Sequence, residues 1–526
     1  MNNLGLTYYD WFAPEKSRLL IGFVQPLLNK KDLTPFNRLW WLLSEANHYY
    51  YDGQMARSSG LFLEIRKIAS SHGILPNHAL IRMLDAMESD FTKLSLSQID
   101  LMIDNLNPAR RQEEQNIMSA AIPIALRRGD HARALAYAER MLRSALETGH
   151  RACELEAYGW LATALCESGN TTDALTALHA ARGILSDAGA TKIEFHHLIV
   201  EANIRLAQKE SSMTNEILSR ALAIARGNGY SCGFQLVPHI LARLFEQALE
   251  HNIESHYVKR LIQINALLPT SERAIESWPW HTRIRVLGAG SINVESIALE
   301  FSSKAQKKPL ALLKFLIAKG RRGVGQSQVA QELWPDSDGD AADSALRMAI
   351  HRLRKILQHE DAVCVSDGKI HLNNKMCWVD AWSLELMCER IEQMNDQELS
   401  SQGRQLLALY RGLPFEDETE HTWLLLARER WRSRFLRAIE LIGAAEERRK
   451  AWDLALELYR RSVEVDPLNE EFYYRLMHCY FEQRKTAEAY SVYRRCKEVL
   501  SVTLGIRPSP RTEALRQRVA LLGTSQ

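Results

Sequence analysis

Apolar positions recur with the period of a helix over most of this chain. In residues 1–270 nearly every segment reads as an amphipathic helix broken by a short polar turn, and no run of β-branched residues marks a strand. The pattern also repeats. Gly129-Asp130 followed by Ala134-Leu135 returns as Gly169-Asn170 followed by Ala174-Leu175, and Gly149, Gly189 and Gly229 stand 40 residues apart. One helix pair cannot cover its own apolar face, so such units are expected to stack as a solenoid. Residues 1–110 share this character, and their aromatic clusters, Trp40-Trp41 and Tyr49-Tyr50-Tyr51, read as core between repeats. A second array lies near the C-terminus. Ala455, Tyr459, Arg460 and Arg461 recur as Ala489, Tyr493, Arg494 and Arg495, a shift of 34 at each position, which is the tetratricopeptide period. The Asp-Pro of VDPLNEEFYYRLM (465–477) opens the next unit.

Between the arrays the pattern changes. QKKPLALLKFLIAK (306–319) predicts a helix, and a second is expected from about Ser327 to Leu333, stopped at Trp334 by Pro335. A third opens after a loop of Asp, Ser and Gly, with Asp340 or Asp343 as its cap. At 100° per residue Ala342, Leu346, Ile350, Leu353 and Leu357 share a sector of about 80°. Ser344, Met348, His351 and Lys355 lie opposite, with Arg352 on one flank and Arg347 and Arg354 on the other. No acid lies between Ser344 and Gln358. Ala362–Ser366 and Lys369–Leu372 then alternate apolar and polar around Asp367-Gly368, a tight-hairpin dipeptide. Three helices and a basic-tipped hairpin make a winged helix-turn-helix. A helix that is apolar on one side and uncompensated basic on the other suits a DNA groove, although such a face is also often merely solvated.

The net charge of +2 over 526 residues hides this local imbalance. Residues 281–375 hold fifteen Lys and Arg against ten Asp and Glu, which is +5, so the remainder is slightly acidic. That distribution fits a modular DNA binder better than a general nucleic-acid coat. The eight cysteines (153, 166, 232, 364, 377, 388, 479, 496) form no CxxC pair, so buried free thiols are expected and neither a disulfide framework nor a zinc site is. The N-terminal residues lack a basic segment followed by an apolar run. No uninterrupted apolar stretch reaches the roughly 18 residues of a membrane span, which leads to a cytoplasmic expectation.

ELWPD (332–336) and IHRLRKIL (350–357) carry a family resemblance. With the element order, they resemble the OmpR-type winged helix of SARP-like bacterial regulators. The resemblance implies an N-terminal strand set (Arg283–Gly288, Ile292–Glu295, Ala298–Phe301) and a third helix lying in the major groove. It gives Arg352 a base to read and Arg354 a phosphate to hold. The wing departs from many relatives, with Asp367-Gly368-Lys369-Ile370 where they have Gly-Tyr. The following repeats resemble the bacterial transcriptional activator domain, and the N-terminal array is similar to the helical-repeat region of MalT-like regulators.

Catalytic and cofactor motifs do not emerge from the sequence. There is no GxxxxGK[ST] or GxSxG, and the Gly320, Gly323, Gly325 cluster has the wrong spacing for a phosphate loop. His196-His197 with Glu201 is not HExxH, and Asp336, Asp338 and Asp340 lack the glycine and distal glutamate of an EF-hand. The expected fold is mainly α: a repeat solenoid at 1–268, a linker at 269–282, an α/β winged helix at 283–375 and a tetratricopeptide-like domain at 376–522. The expected function is sequence-specific transcriptional regulation, as an activator and not an enzyme, with no cofactor or metal. Ser344, Arg347, Met348, His351, Arg352, Arg354, Lys355 and Lys369 would form the DNA surface. Double-stranded DNA and RNA polymerase are the expected partners, with an effector on the solenoid and a homodimer through the C-terminal repeats. The alternative is a protein scaffold whose winged helix no longer reads DNA.

Overall fold

The computed structural model describes residues 34–51, 55–73, 95–106, 111–185, 191–230, 237–270, 275–299, 307–415 and 421–523. It divides into two compact units, Met1–Ser271 with Ser277–Pro279, and Glu272–Glu276 with Trp280–Gln526. The fold is mainly α, with repeat helices in both units and a winged helix-turn-helix opening the second.

The first unit contains α1 (Pro35–Tyr51), α2 (Met55–His72), α3 (Leu96–Asp104), α4 (Arg111–Arg127), α5 (His131–Thr148), α6 (Arg151–Glu167), α7 (Thr171–Leu185), α8 (Thr191–Ala207), α9 (Ser211–Asn228), α10 (Pro238–Glu250) and α11 (Ser255–Ile264). From α4 onward the helices come in antiparallel pairs, and the first helices of successive pairs also pack on one another. Alanines fill these crossings: Ala134, Ala174 and Ala202 are fully buried, because a larger side chain would hold the backbones apart. Left-handed turns punctuate the pairs at Gly129, Gly169 and Lys209, again 40 residues apart. The third turn uses lysine at φ 63°, which hides it from a glycine count. Gly189, and the side chains of Trp40, Tyr50 and Tyr51, lie outside the described residues, while Trp41 is half-buried.

The second unit begins with β1 (Thr282–Arg285), β2 (Ser291–Val294) and β3 (Ile297–Ala298), followed by α12 (Lys307–Lys319), β4 (Val324–Gly325), α13 (Gln326–Leu333) and α14 (Gly339–Ile356). The wing, β5 (Val363–Ser366) and β6 (Lys369–Leu372), leads to β7 (Cys377–Val379). The C-terminal helices are α15 (Asp380–Ile391), α16 (Asp396–Ser400), α17 (Gly403–Leu409), α18 (Thr422–Arg448), α19 (Trp452–Val465), α20 (Glu470–Glu482), α21 (Thr486–Leu504) and α22 (Pro510–Gly523). Two sheets form, ordered β3-β2-β1-β7 and β4-β6-β5.

Two local expectations need correction. The domain expected as helical repeats at 376–522 does not open as helix: Cys377–Val379 is a strand that pairs parallel to β1, Thr282 opposite Cys377. The cap of α14 is Asp338, with no side-chain hydrogen bond, and Asp340 falls inside the first turn.

The winged helix and the C-terminal helices share one core. A single cluster of buried apolar side chains runs from Ile284 through Leu353, Trp382 and Trp431 to Val519. Two of the last carbonyls of α12, where a helix runs out of donors of its own, receive side-chain donors from the C-terminal helices. Trp382 Nε1 donates to Ile317 O at 3.1 Å, and Arg430 Nη2 donates to Ala318 O at 2.8 Å. Asp380 closes the seam. Its buried carboxylate accepts the N–H groups of Val286 at 2.8 Å, Leu287 at 3.0 Å and Ala381 at 2.8 Å. In the C-terminal array the left-handed turns fall at Lys450 and Arg484, one 34-residue period apart.

Candidate nucleic-acid interface

Helix α14 is held from one side only. Leu346, Leu353 and Leu357 are essentially inaccessible, and Ala342, Ala349 and Ile350 are buried with them. This is the stripe expected from the 100° spacing, widened by Ala349. Full burial of each leucine contributes about 1.5–3 kcal/mol to docking the helix. With that face fixed, the other must meet solvent. Ser344, Arg347, Met348, His351, Arg352 and Lys355 are all exposed. Met348 is 52% exposed, an apolar side chain on an otherwise polar face. Among the described residues no carboxylate pairs with Arg347, Arg352 or Lys355.

Arg354 is placed differently from the expectation that it holds a phosphate. It is half-buried, and its Nε and Nη2 donate to Val363 O at 3.1 and 2.8 Å. The angle of a residue around a helix does not reveal this, because a long flanking side chain can turn inward as well as outward. At the end of α14 the ring Nε2 of His281 donates to Leu357 O at 3.1 Å, and the ring packs edge-on against His359 with centroids 5.2 Å apart.

The wing turn has the geometry its dipeptide requires. Asp367 and Gly368 have φ of 49° and 72°, as both central residues of a two-residue hairpin turn must. Lys369 is exposed beside them. Gln326 N, at the start of α13, donates to Gly368 O at 3.0 Å, and β4 pairs with β6, so the wing is anchored to the helix-turn-helix on that side. Neither anchor has a local sequence signal. Arg322, also exposed, lies two residues before β4 and adds a cation near the wing that the sequence reading did not single out.

The remaining candidates are structural. His196 and His197 are both buried, and His197 Nε2 bonds Leu155 O at 3.1 Å. Burial pushes the His197 pKa below its ordinary value, which favours the neutral ring. Asp336 and Asp338 are exposed on the loop between α13 and α14, and Asp340 is exposed in the first turn of α14. Of the described cysteines all are free, and every one but half-buried Cys364 is buried; Cys232 lies outside the described residues.

Comparison with known families agrees with this architecture. Residues 303–366 match the family "Transcriptional regulatory protein, C terminal", and residues 383–520 match "Bacterial transcriptional activator domain". Both are modules of transcriptional regulators rather than of enzymes. Their order, an OmpR-type winged helix followed by the activator domain, is that of a SARP-like bacterial transcriptional regulator. No curated protein matches the chain. Among solved structures, Mycobacterium tuberculosis EmbR, in complex with a low affinity phosphopeptide, is similar at 18% identity and a TM-score of 0.38. That match covers 46% of this chain and 65% of EmbR, so the chain spans just under two thirds of that relative's length. The APC/C hetero-tetramer Cut9-Hcn1 aligns at 11% identity and TM-score 0.27, over 98% of this chain and 81% of that one. The human IFIT1 dimer with m7Gppp-AAAA aligns at 12% identity and TM-score 0.27, over 93% and 86%. Among the described residues no helix is long and apolar enough to cross a membrane.

Proposed function

We propose that this chain is a sequence-specific DNA-binding transcriptional activator. Residues 283–375 read the duplex, residues 376–522 support dimerisation or contact RNA polymerase, and residues 1–268 receive a protein or small-molecule effector. The observation that carries the reading is the exposed face of α14, which offers Arg347, Arg352 and Lys355 without an acidic partner while leucines fix its back to the core. In a major groove Arg352 forks onto a guanine edge, and Met348 and His351 meet neighbouring base edges, Met348 suiting a thymine methyl. Ser344 completes the base-facing row, while Arg347, Lys355 and the wing's Lys369 meet phosphates.

A mobility-shift series at rising salt tests this. Wild-type affinity should fall steeply with salt through counterion release. Arg352→Ala should lose about 1–3 kcal/mol on the preferred sequence and relax discrimination. Lys355→Ala should weaken all sequences alike and flatten the slope by about 0.9. A wild-type chain with no steep salt dependence would instead indicate a protein scaffold.

A further inference from the structure

Two of the three nitrogens of the Arg354 guanidinium are hydrogen-bonded within the fold. Its Nε and Nη2 converge on one oxygen, Val363 O, and Nη1 lies 3.7 Å from Glu360 Oε2. Val363 opens β5, the outer strand of the β4-β6-β5 sheet. On the inner side Ala362 O already accepts Asn373 N–H at 3.0 Å. Carbonyls alternate along an antiparallel pair, so that of Val363 points away from the sheet. The arginine fork therefore stands where a further strand would pair, and satisfies an edge acceptor with two charge-assisted donors. It joins the last turn of α14 to the strand that leads into the wing. The opposite side of the wing is fixed by Gln326 N–H on Gly368 O and by β4 pairing with β6.

We infer, on the DNA-reading function proposed above, that Arg354 is a positioning residue that sets the spacing between the exposed face of α14 and Lys369, and that it holds no phosphate itself. The spacing matters because two contacts on one rigid duplex reinforce each other only when both are met without deforming either partner. Arg354 keeps its charge in this role and still adds to the local positive field, while its Nε and Nη2 are committed to the wing.

The test uses the full chain and the duplex that the wild type enriches from a random pool, at salt from about 50 to 200 mM. Arg354→Lys keeps the charge and loses the fork. It should bind the enriched duplex about tenfold more weakly, with a salt slope lower by about 0.9 because the Lys369 phosphate contact is lost, and lose the wing's hydroxyl-radical footprint while keeping that of α14. In a Lys369→Ala background the same substitution should cost almost nothing, because the contact it positions is already gone. Wild-type binding by Arg354→Lys, with a slope reduced by about 0.9 in Arg354→Gln, would assign a direct phosphate contact and overturn the inference. Additivity with Lys369→Ala would also overturn it. A readout on the wild type covers variants that do not fold. Hydrogen exchange over residues 360–368 should be unchanged or slower on adding the duplex, and faster exchange would mean that Arg354 had left Val363 for the DNA. A wild-type chain that enriches no duplex overturns the DNA reading and this inference with it.

Discussion

Two carboxylates, one in each unit, are withdrawn from water and resolve that problem in opposite ways. Glu167, at the end of α6, is largely buried, which opposes ionisation, but its oxygens receive Arg243 Nη2 at 2.7 Å and Asn203 Nδ2 at 3.0 Å, with His239 Nε2 at 3.3 Å. These donors outweigh burial and hold its pKa down at about 2. Asp380, in the seam of the second unit, is more deeply buried and is hydrogen-bonded only by backbone N–H groups, with the Arg285 charge acting on it without a hydrogen bond. Burial pushes it up to about 6 against the pull of those three donors. Peptide dipoles satisfy a lone pair without matching its charge. A cation does both, so a network crossing three repeats can keep a permanent ion whereas the seam holds a carboxyl near its titration point.

Removing the partners gives the largest contrast. Asp380→Ala leaves buried N–H groups of Val286 and Leu287 without acceptors and should destabilise the second unit by about 3 kcal/mol. Arg243→Ala leaves Glu167 charged and under-compensated. Arg243 is 40% exposed, so screening reduces the loss to about 2 kcal/mol. Segment-resolved hydrogen exchange on the full chain should show each loss in its own unit, and a loss in the other unit would break the comparison.

The pH dependence is smaller, and its signs are opposite. Glu167 contributes stability that is present above its ordinary value of 4.5 and lost as pH falls towards 2. Asp380 is raised, so the folded state binds a proton more tightly than the unfolded one. Its contribution is greatest below 3.8, is lost as pH rises from 3.8 to 6, and is level above that. Protection around α8 should therefore rise from pH 3 to pH 5 while protection around β1 and α15 falls, and Asp380→Asn should abolish only the second trend.

The smallest effects lie in the turns. The N-terminal array uses Gly129 and Gly169 where the C-terminal array uses Lys450 and Arg484, all with positive φ. A Cβ on Gly169 would meet nothing within 4 Å, so Gly169→Ala isolates the backbone cost, about 1 kcal/mol. Lys450→Gly should stabilise by less, about 0.5 kcal/mol, because relief of strain is offset by the freer unfolded chain. Urea unfolding midpoints measure both.

Much of the exposed face of α14 and of the wing turn was legible in the sequence because both rest on short-range patterns. Ala342, Leu346, Ile350, Leu353 and Leu357 are all buried, and Asp367-Gly368 makes the turn its chemistry favours. What escaped depends on partners far along the chain or on side-chain direction. Cys377–Val379 is three residues long, and its apolar run ahead of a helix looks like more helix; only pairing with a distant strand makes it β. Val324–Gly325 is shorter still and sits in a glycine-rich turn. Lys209 occupies a left-handed turn without the residue type that announces one. For Arg354, the angular position around α14 was readable but not the acceptor it turns towards.

The pairing of β1 with β7 has a bearing on the order in which this chain assembles. Val286 and Asp380 are 94 residues apart, so everything between them must be made and gathered before that bond can close. Loop closure over such a span is slow, though its entropic penalty grows only logarithmically. During synthesis β1 therefore emerges with one edge bare, and the strand that will cover it is made only after the whole winged helix. Until then, a nascent or truncated chain ending before Cys377 carries an unpaired strand edge able to recruit a neighbour, which makes the position of a truncation as consequential for solubility as any point mutation within the motif.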